Sequence, residues 1–339
     1  MTSDNGPDAS NGDPADAAPP SRPGVNFFTI EGRPTPALFV IGWLASILGL
    51  AVVLAGVFGN STVLLFLVGP GLLSLGLVAA AGNQALERRA RGAEYAGPSP
   101  ILVFAAVVAV SFLVLALVGL ALRFLLGSAF GRVPDAAVQL IAGTLMGLVY
   151  VGLLRLTVVG TGALSWAEMG VRRFDRQAVR ELVNGASLAV PVIAVTLVVA
   201  VVLVSIFKVE GTSPLPPTGT VFGLLLQLLV GAVIAPVAEE FLFRGFALTA
   251  WRRTLGAQRA ILRASLLFAL AHVINIEASS TGEAIGLIAV GAGTRLPVAF
   301  VLGWVFVRRG SIWAPIGLHA TFNAVLLIIA NLAPTDAVG

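Results

Sequence analysis

Long apolar stretches separated by short polar segments recur along this chain, and the charged residues gather almost entirely in the polar segments. The stretches are about 20 residues long, the length that a helix needs to cross the hydrocarbon core of a bilayer. We predict nine spans, with an uncertainty of one, at approximately 37–58, 62–82, 100–126, 137–158, 187–207, 219–246, 261–276, 284–307 and 311–331. No strand-like alternation stands out. The predicted fold class is therefore all-α, a polytopic membrane helix bundle with eight or nine transmembrane helices.

Composition strengthens the membrane prediction and removes several chemistries. Mean hydropathy is +0.96, and only 11% of residues are charged. The net charge of +4 comes almost entirely from arginines that lie between the apolar stretches, so we expect the lipid bilayer as a partner and no nucleic acid. The absence of cysteine excludes disulfides, thiolate catalysis and cysteine-ligated metals. The preference for arginine over lysine, together with the high alanine content, suggests a bacterial genome rich in G and C.

Arginine clusters in alternate loops predict the orientation of the spans. The clusters are Arg88, Arg89 and Arg91; Arg172, Arg173, Arg176 and Arg180; Arg252, Arg253, Arg259 and Arg263; and Arg308 and Arg309. The positive-inside rule places all of them in the cytoplasm if the N-terminus is cytoplasmic as well. We therefore predict a multi-pass protein of the bacterial inner membrane.

The same pattern divides the chain into five regions. They are a disordered cytoplasmic tail over 1–35, an N-terminal four-helix transmembrane region over 36–158, an interfacial amphipathic linker over 159–186, a C-terminal transmembrane core over 187–331, and a C-terminal tail over 332–339. The linker mixes Trp166 and Phe174 with four arginines, which suits a helix lying in the membrane interface. An ordinary basic loop is the alternative for that region.

Two carboxylates and two histidines lie inside the apolar spans of the C-terminal half: Glu239, Glu240, His272 and His319. Ionisable side chains are costly at bilayer depth and usually mark a functional site. Glu240 and Arg244 have i,i+4 spacing and can pair on one helix face, which leaves Glu239 pointing elsewhere. The alternative is a buried ion pair with a spare carboxylate and two histidines that act as hydrogen-bonding struts.

Depth in the membrane favours a site over scattered struts. Glu239 lies 13 positions before Arg252, His272 lies 9 after Arg263, and His319 lies 10 after Arg309. These separations correspond to roughly 14–20 Å along a helix, measured from the same side of the membrane. Three separate helices therefore place polar groups in one layer.

A hydrolytic site is the chemistry that this layer suits best. A partly desolvated carboxylate can act as general base or acid, and a neighbouring histidine can hold the attacking water. A second histidine and the amide of Asn323, which is i,i+4 from His319, can donate to a developing oxyanion. No His-Glu-x-x-His motif is present, although Glu239, His272 and His319 could form a zinc site across helices. The sequence does not distinguish zinc from a metal-free water activated by glutamate.

The motifs that contain these residues resemble those of the CAAX-protease and bacteriocin-processing (CPBP) family of intramembrane endopeptidases. Its pattern is Glu-Glu-x-x-x-Arg, then Phe-x-x-x-His, then His-x-x-x-Asn or Asp on successive membrane helices. This chain has Glu239-Glu240 with Arg244, Phe268 with His272, and His319 with Asn323. The resemblance covers about 165–325 and does not extend to the first four spans.

The resemblance implies a peptidase that cuts membrane-associated proteins or peptides by a glutamate or a metallo mechanism. Glu239 and His272 would activate water, and His319 and Asn323 would support the oxyanion. Glu240 and Arg244 would form a structural pair beside the site, which would open to the cytoplasmic side.

Two alternative functions and one unexplained residue remain. The alternatives are a non-catalytic peptide-binding or immunity protein and a proton-coupled transporter, since glutamate and histidine also form proton relays. Arg295, in the middle of the eighth predicted span, is not part of the pattern. It could snorkel to the interface or pair with Glu283 or Glu277.

Overall fold

A computed structural model describes residues 29–30, 33–34, 36–209, 217–274 and 276–332 of the chain. The predicted tails, 1–35 and 332–339, fall almost wholly outside these ranges. Within them, two strands of two residues each, Thr29–Ile30 and Arg33–Pro34, pair in antiparallel orientation. Everything else that is regular is helical.

Twelve α-helices form the described part of the molecule. They are α1 Pro36–Phe58, α2 Gly69–Ala90, α3 Pro100–Leu126, α4 Asp135–Leu154, α5 Arg176–Ser187, α6 Ala189–Phe207, α7 Val221–Leu228, α8 Ala235–Glu240, α9 Thr249–Leu255, α10 Ala257–Ala271, α11 Thr281–Arg309 and α12 Trp313–Leu332. Wider π-helical turns at Leu64–Val68, Arg155–Val159, Leu229–Ile234 and Phe241–Leu248 join or extend several of them. A short 3₁₀ helix, Gly127–Arg132, follows α3.

Eight helical segments among the described residues are long and apolar enough to cross a membrane. They are Ala37–Phe58, Leu64–Ala90, Pro100–Arg132, Asp135–Val159, Arg176–Phe207, Val221–Leu255, Thr281–Arg309 and Trp313–Leu332. This confirms the predicted all-α, polytopic fold class. The segment predicted at 261–276 is absent from the eight because its helix, α10, has only 15 residues. Such a helix is about 22 Å long, whereas the hydrocarbon core is about 30 Å thick.

The predicted linker, 159–186, is only partly helical. Its residues 160–175 form turns and extended backbone, and helix begins at Arg176, the first residue of α5. The side chain of Asp175 starts this helix, because its carboxylate accepts hydrogen bonds from the backbone N–H groups of Gln177 and Ala178. A continuous interfacial helix through Trp166 and Phe174 is therefore wrong.

The turns of 160–175 are tied to the C-terminal half by an ion pair. Glu168 accepts hydrogen bonds from the backbone N–H and hydroxyl of Ser165, at 2.6 and 2.7 Å, and from Arg253 at 2.6 Å. These bonds, first those from Ser165 and then that from Arg253, lower the pKa of the Glu168 carboxyl to about 2. The carboxylate therefore stays charged, and the contact with Arg253 persists at any pH near neutrality.

Helices α5 and α12 cross at very close range through two glycines. A Cβ atom placed on Gly185 would collide with the backbone carbonyl of Ala314, and one placed on Gly317 would collide with the carbonyl of Leu182. Small residues allow such backbone contact between helices, and this contact fixes the N-terminal end of α12, the helix that carries His319.

Replacing Gly317 by alanine should therefore destabilise the protein, because the new methyl group meets a backbone carbonyl that cannot move aside cheaply. Overpacking of this kind costs typically about 1–3 kcal/mol. The change is measured as a lowered unfolding temperature in detergent. Gly119→Ala is the matched control, since Gly119 lies inside α3 with nothing within 4 Å of its Cβ position. That control should leave stability unchanged or raise it, and equal losses in both variants would contradict the crossing described here.

The main hydrophobic core joins the N-terminal spans to the C-terminal half. Its fully buried side chains come from α3, from α4 and the turn after it, from the π-helical turn Phe241–Leu248, and from α10; they include Val107, Leu154, Val158, Phe243, Phe246 and Phe268. Helices α3 and α4 are therefore packed directly against the span that carries Glu239.

Candidate active site

The two adjacent carboxylates lie on a short stretch of regular α-helix between two wider turns. α8 ends at Glu240, after the π-helical turn Leu229–Ile234 and before the turn Phe241–Leu248. Pro236 stands in the first turn of α8 and has no N–H to donate to the preceding turn. The carbonyl of Gly231 instead accepts a hydrogen bond from the side-chain amide of Asn323, at 2.8 Å.

Glu240 is the centre of a buried polar group. Its Oε1 accepts from Arg244 Nη1 at 2.7 Å and from His319 Nδ1 at 2.8 Å. The side chains of Glu240 and Arg244 are fully buried, and that of His319 is 3% exposed. Burying a charge is costly unless the charge is paired, and here Oε2 of Glu240 and Nε of Arg244 are buried without a hydrogen-bond partner among the described residues. The pair therefore positions His319 as well as balancing charge.

The guanidinium of Arg244 has two further contacts that compensate its burial. Its Nη2 donates to the carbonyl of Ala299 at 3.3 Å, which links the site to α11. Its central carbon lies 4.5 Å from the centre of the Phe268 ring. A cation over an aromatic face is attracted by the ring's negative face, so Phe268 supports the charge from α10.

Both histidines are held through Nδ1, which selects the role of Nε2. Glu240 is paired with Arg244 and can only accept, so His319 donates from Nδ1. The carbonyl of Phe268 likewise accepts from Nδ1 of His272, at 2.7 Å. In the neutral ring the other nitrogen then has a free lone pair. Nε2 of each neutral histidine is therefore a hydrogen-bond acceptor.

Glu239 faces both of these nitrogens. Its Oε2 lies 3.7 Å from Nε2 of His272 and 3.8 Å from Nε2 of His319. This oxygen is buried and makes no hydrogen bond to the described residues. The distances exceed a direct hydrogen bond and are those at which one water molecule can connect polar groups. The structure thus brings Glu239, His272 and His319 together from three helices, as the depth argument predicted.

Asn323 lies one turn further along α12 than His319. One of its roles is structural. Its Nδ2 donates to Gly231, so the amide holds α12 against the turn that precedes Glu239. One hydrogen of the amide group is not used in that bond. The structure does not place Asn323 within hydrogen-bonding distance of Glu239.

Arg295 makes neither of the ion pairs considered from the sequence. Its Nη1 donates to the carbonyl of Gly291 at 2.6 Å, one turn earlier in α11. Glu283 is bound to Ser279, and no ion pair of Arg295 with Glu277 or Glu283 is present. The Arg295 charge interacts with Glu239 and His272, so Arg295 belongs to the surroundings of the site.

Sequence reasoning missed a second neighbour of Glu239, namely Tyr150 on α4. Tyr150 and Glu239 interact electrostatically, although Tyr150 comes from the N-terminal region. The available signal was compositional, because the chain has only two tyrosines and this one lies inside an apolar span.

The donor atoms around Glu239 are of the types that zinc binds. Two imidazole nitrogens and one carboxylate form a common catalytic zinc set, and metal-ligating histidines usually donate their other N–H to a carboxylate or carbonyl, as these two do. A tetrahedral set with bonds of about 2.0–2.2 Å has ligand atoms about 3.3–3.6 Å apart. The observed 3.7 and 3.8 Å are slightly wider. No cluster of three or more His, Cys, Asp or Glu residues in the described ranges is arranged to hold a metal ion.

Comparison with protein-family models matches residues 221–325 to the family described as type II CAAX prenyl endopeptidase Rce1-like. Residues 221–325, here called the Rce1-like domain, are thus similar to that family. The family resemblance inferred from the three motifs is thereby confirmed, and all three lie inside the matched range. The match supports a CAAX-type intramembrane endopeptidase in general. No curated protein and no solved structure matches the chain.

The Rce1-like domain begins at α7 and therefore starts later than the predicted limit at residue 165. Asn323 and Arg295 lie within it, whereas Tyr150 and the first four spans lie outside it. The eight apolar helices and the match to a family of membrane proteases both indicate a multi-pass membrane protein.

Proposed function

We propose that this protein is an intramembrane endopeptidase in which Glu239 activates the water that cleaves a peptide bond of membrane-associated protein or peptide substrates. The observation that supports this proposal is the convergence on Oε2 of Glu239, a buried acceptor between two imidazole nitrogens at 3.7 and 3.8 Å. A water at this point has an acceptor for each of its hydrogens and can direct its lone pair at a carbonyl carbon.

Each residue of the site has its own part in the hydrolytic step. Water donates one hydrogen bond to Glu239 and the other to Nε2 of a histidine. Glu239 takes the proton as the water oxygen bonds to the scissile carbon, which forms a tetrahedral oxyanion. Glu239 then returns the proton to the leaving nitrogen as the C–N bond breaks, so the products are a carboxylic acid and an amine. The unused amide hydrogen of Asn323 is available to the oxyanion.

His319 holds water more readily than it supports an oxyanion. In the neutral tautomer that Glu240 selects, its Nε2 accepts. The oxyanion role inferred from the sequence would require the imidazolium form. We therefore assign His319, like His272, as an acceptor for the water, which donates to one of the two at a time, and we assign the Glu240–Arg244 pair to fixing the tautomer of His319.

The proposed entrance for water and substrate is on the side of His272 and Glu239. Their side chains are 28% and 19% exposed, against 3% for His319. Arg252 and Arg309 lie in the last turns of α9 and α11, and Arg263 lies inside α10. We propose that these arginines mark the cytoplasmic side of the protein, with the N-terminus on the same side.

The test is cleavage of a library of membrane-tethered peptides by purified protein in bilayer discs, with products identified by mass spectrometry. His272→Ala should lower turnover by at least about 10²-fold, since it removes one acceptor that orients the water. Unchanged cleavage in His272→Ala would refute the assignment. Protection against a toxic peptide that survives Glu239→Gln and His319→Ala would indicate a binding protein instead.

Zinc in this site would be held by Glu239, His272 and His319 and would supply a Lewis acid that polarises the carbonyl. The proposed steps use no metal, because the site spacing is wider than that of a closed ligand set. We therefore expect chelator-treated protein, shown to be metal-free by elemental analysis, to keep its full cleavage rate. A loss of activity that added zinc reverses would contradict the metal-free proposal.

A further inference from the structure

Helix α4, from the N-terminal region, packs against the span that carries Glu239 in a definite register. A Cβ atom on Gly143 would meet the side chain of Val230, and one on Gly147 would lie 3.3 Å from Ile234 and 3.7 Å from the Cβ of Ala238. An advance of four residues along α4 thus matches an advance of at least four along the other span. The two helices run in the same direction, with no side chain on the glycines to keep them apart.

This register carries Tyr150 to the level of Glu239. Tyr150 is three residues beyond Gly147 and shares its face of α4, and Glu239 directly follows Ala238. Tyr150 is partly buried against the main core, next to the helices of the site. The electrostatic interaction between Tyr150 and Glu239 agrees with this placement. Its hydroxyl makes no hydrogen bond to the residues that the structure describes, so it is available to another group.

The groups that face Oε2 of Glu239 are acceptors. Oε2 of Glu239 and both Nε2 atoms accept, and Asn323 has already committed one hydrogen of its amide to Gly231. A tetrahedral oxyanion needs preorganised donors, and removing one such donor typically costs about 10²–10³ in turnover. A phenol hydroxyl donates well and loses little side-chain freedom, because its ring is held by packing.

We propose that Tyr150 is a further catalytic residue of this site, whose hydroxyl donates a hydrogen bond to the scissile carbonyl oxygen as it becomes negative. The inference rests on the proposed hydrolysis. It gives the N-terminal spans a part in the chemistry, since the Rce1-like domain alone, residues 221–325, lacks this donor.

Tyr150→Phe tests the proposal, because phenylalanine keeps the ring and removes only the hydroxyl. We expect turnover to fall by roughly 10²-fold with little change in KM and in unfolding temperature. Tyr95→Phe is the matched control, since it makes the same change in the other tyrosine, whose hydroxyl donates to the carbonyl of Pro98 in the loop before α3. That control should keep the wild-type rate. Unchanged turnover in Tyr150→Phe, or a rise in KM alone, would overturn the proposal.

A second measurement separates this inference from the proposed function. A peptide phosphonate, whose oxygens imitate the tetrahedral intermediate, should bind Tyr150→Phe roughly 10²-fold more weakly than wild type. The parent peptide should bind both proteins equally in a Glu239→Gln background. Equal phosphonate affinity would exclude Tyr150 even if the protein cleaves peptides. Absence of cleavage by the wild-type protein would instead refute the endopeptidase itself.

Discussion

Glu239→Gln is expected to abolish peptide hydrolysis while the protein remains folded. The amide has the size of the carboxylate but cannot take a proton from water, so the general base is lost. Such a base contributes typically about 10²–10⁴-fold, and here it also returns the proton to the leaving amine. Single-turnover cleavage of a tethered peptide measures the loss, and an unchanged unfolding temperature shows that the fold is intact.

The control for Glu239→Gln is the same substitution at Glu87. Glu87 lies at the end of α2 in an exposed i,i+4 pair with Arg91, outside the candidate site. Its variant should cleave at the wild-type rate. Full activity in Glu239→Gln would mean that another group activates the water.

Arg244→Met is expected to produce the largest loss of stability. It leaves Glu240, which is fully buried, without its cationic partner, and breaking one side of a buried pair costs about 3–5 kcal/mol. Arg244 also contacts the Phe268 ring and the carbonyl of Ala299, so its loss loosens α10 and α11 together. Unfolding temperature and denaturant midpoint in one detergent measure the effect.

The chain contains a matched exposed pair for comparison with Arg244. Arg91 and Glu87 have the same i,i+4 spacing and are 2.6 Å apart, with side chains 76% and 46% exposed. Arg91→Met should therefore change stability by only about 0–1 kcal/mol. The double variant Glu240→Gln with Arg244→Met should recover part of the loss, because no unpaired charge stays buried. Equal effects at Arg91 and Arg244 would contradict the compensated burial of the Glu240–Arg244 pair.

The candidate site could be located from the sequence because two rules of helix geometry apply within a single helix. Helix periodicity pairs Glu240 with Arg244, and the rise per residue places Glu239, His272 and His319 in one layer of the bilayer. Neither rule depends on how the helices pack. The convergence of three helices on one carboxylate oxygen follows once the bundle closes around that layer.

The tautomers and the donor from α4 could not be predicted in the same way. The hydrogen bond from His319 to Glu240 joins residues 79 positions apart, so its existence depends on the packing of α12 against α8. Tyr150 faces the site only because Gly143 and Gly147 allow α4 to approach in a particular register. Such registers are set by side-chain fit between helices, which leaves little trace in the hydropathy of either one.

The predicted helix boundaries were wrong for a related reason. α10 ends at its cap residue, His272, where the ring bonds back to the carbonyl of Phe268. Apolar residues beyond that point extended the predicted span to 276, since hydropathy records burial in lipid and not the end of a helix. The prediction of a helix through Trp166 and Phe174 was wrong in the same sense, because mixed apolar and basic residues are compatible with turns as well as with a helix.

The two π-helical turns that flank α8 divide the span Val221–Leu255 into parts with different angular phase. Each wider turn holds more residues than an α-helical turn, so a helical wheel drawn through the whole span misplaces the side chains beyond it. The positions that face lipid before residue 229 therefore do not predict which positions face lipid after residue 248. The width of these turns, more than the identity of any one side chain, sets the directions in which Glu239 and Glu240 point.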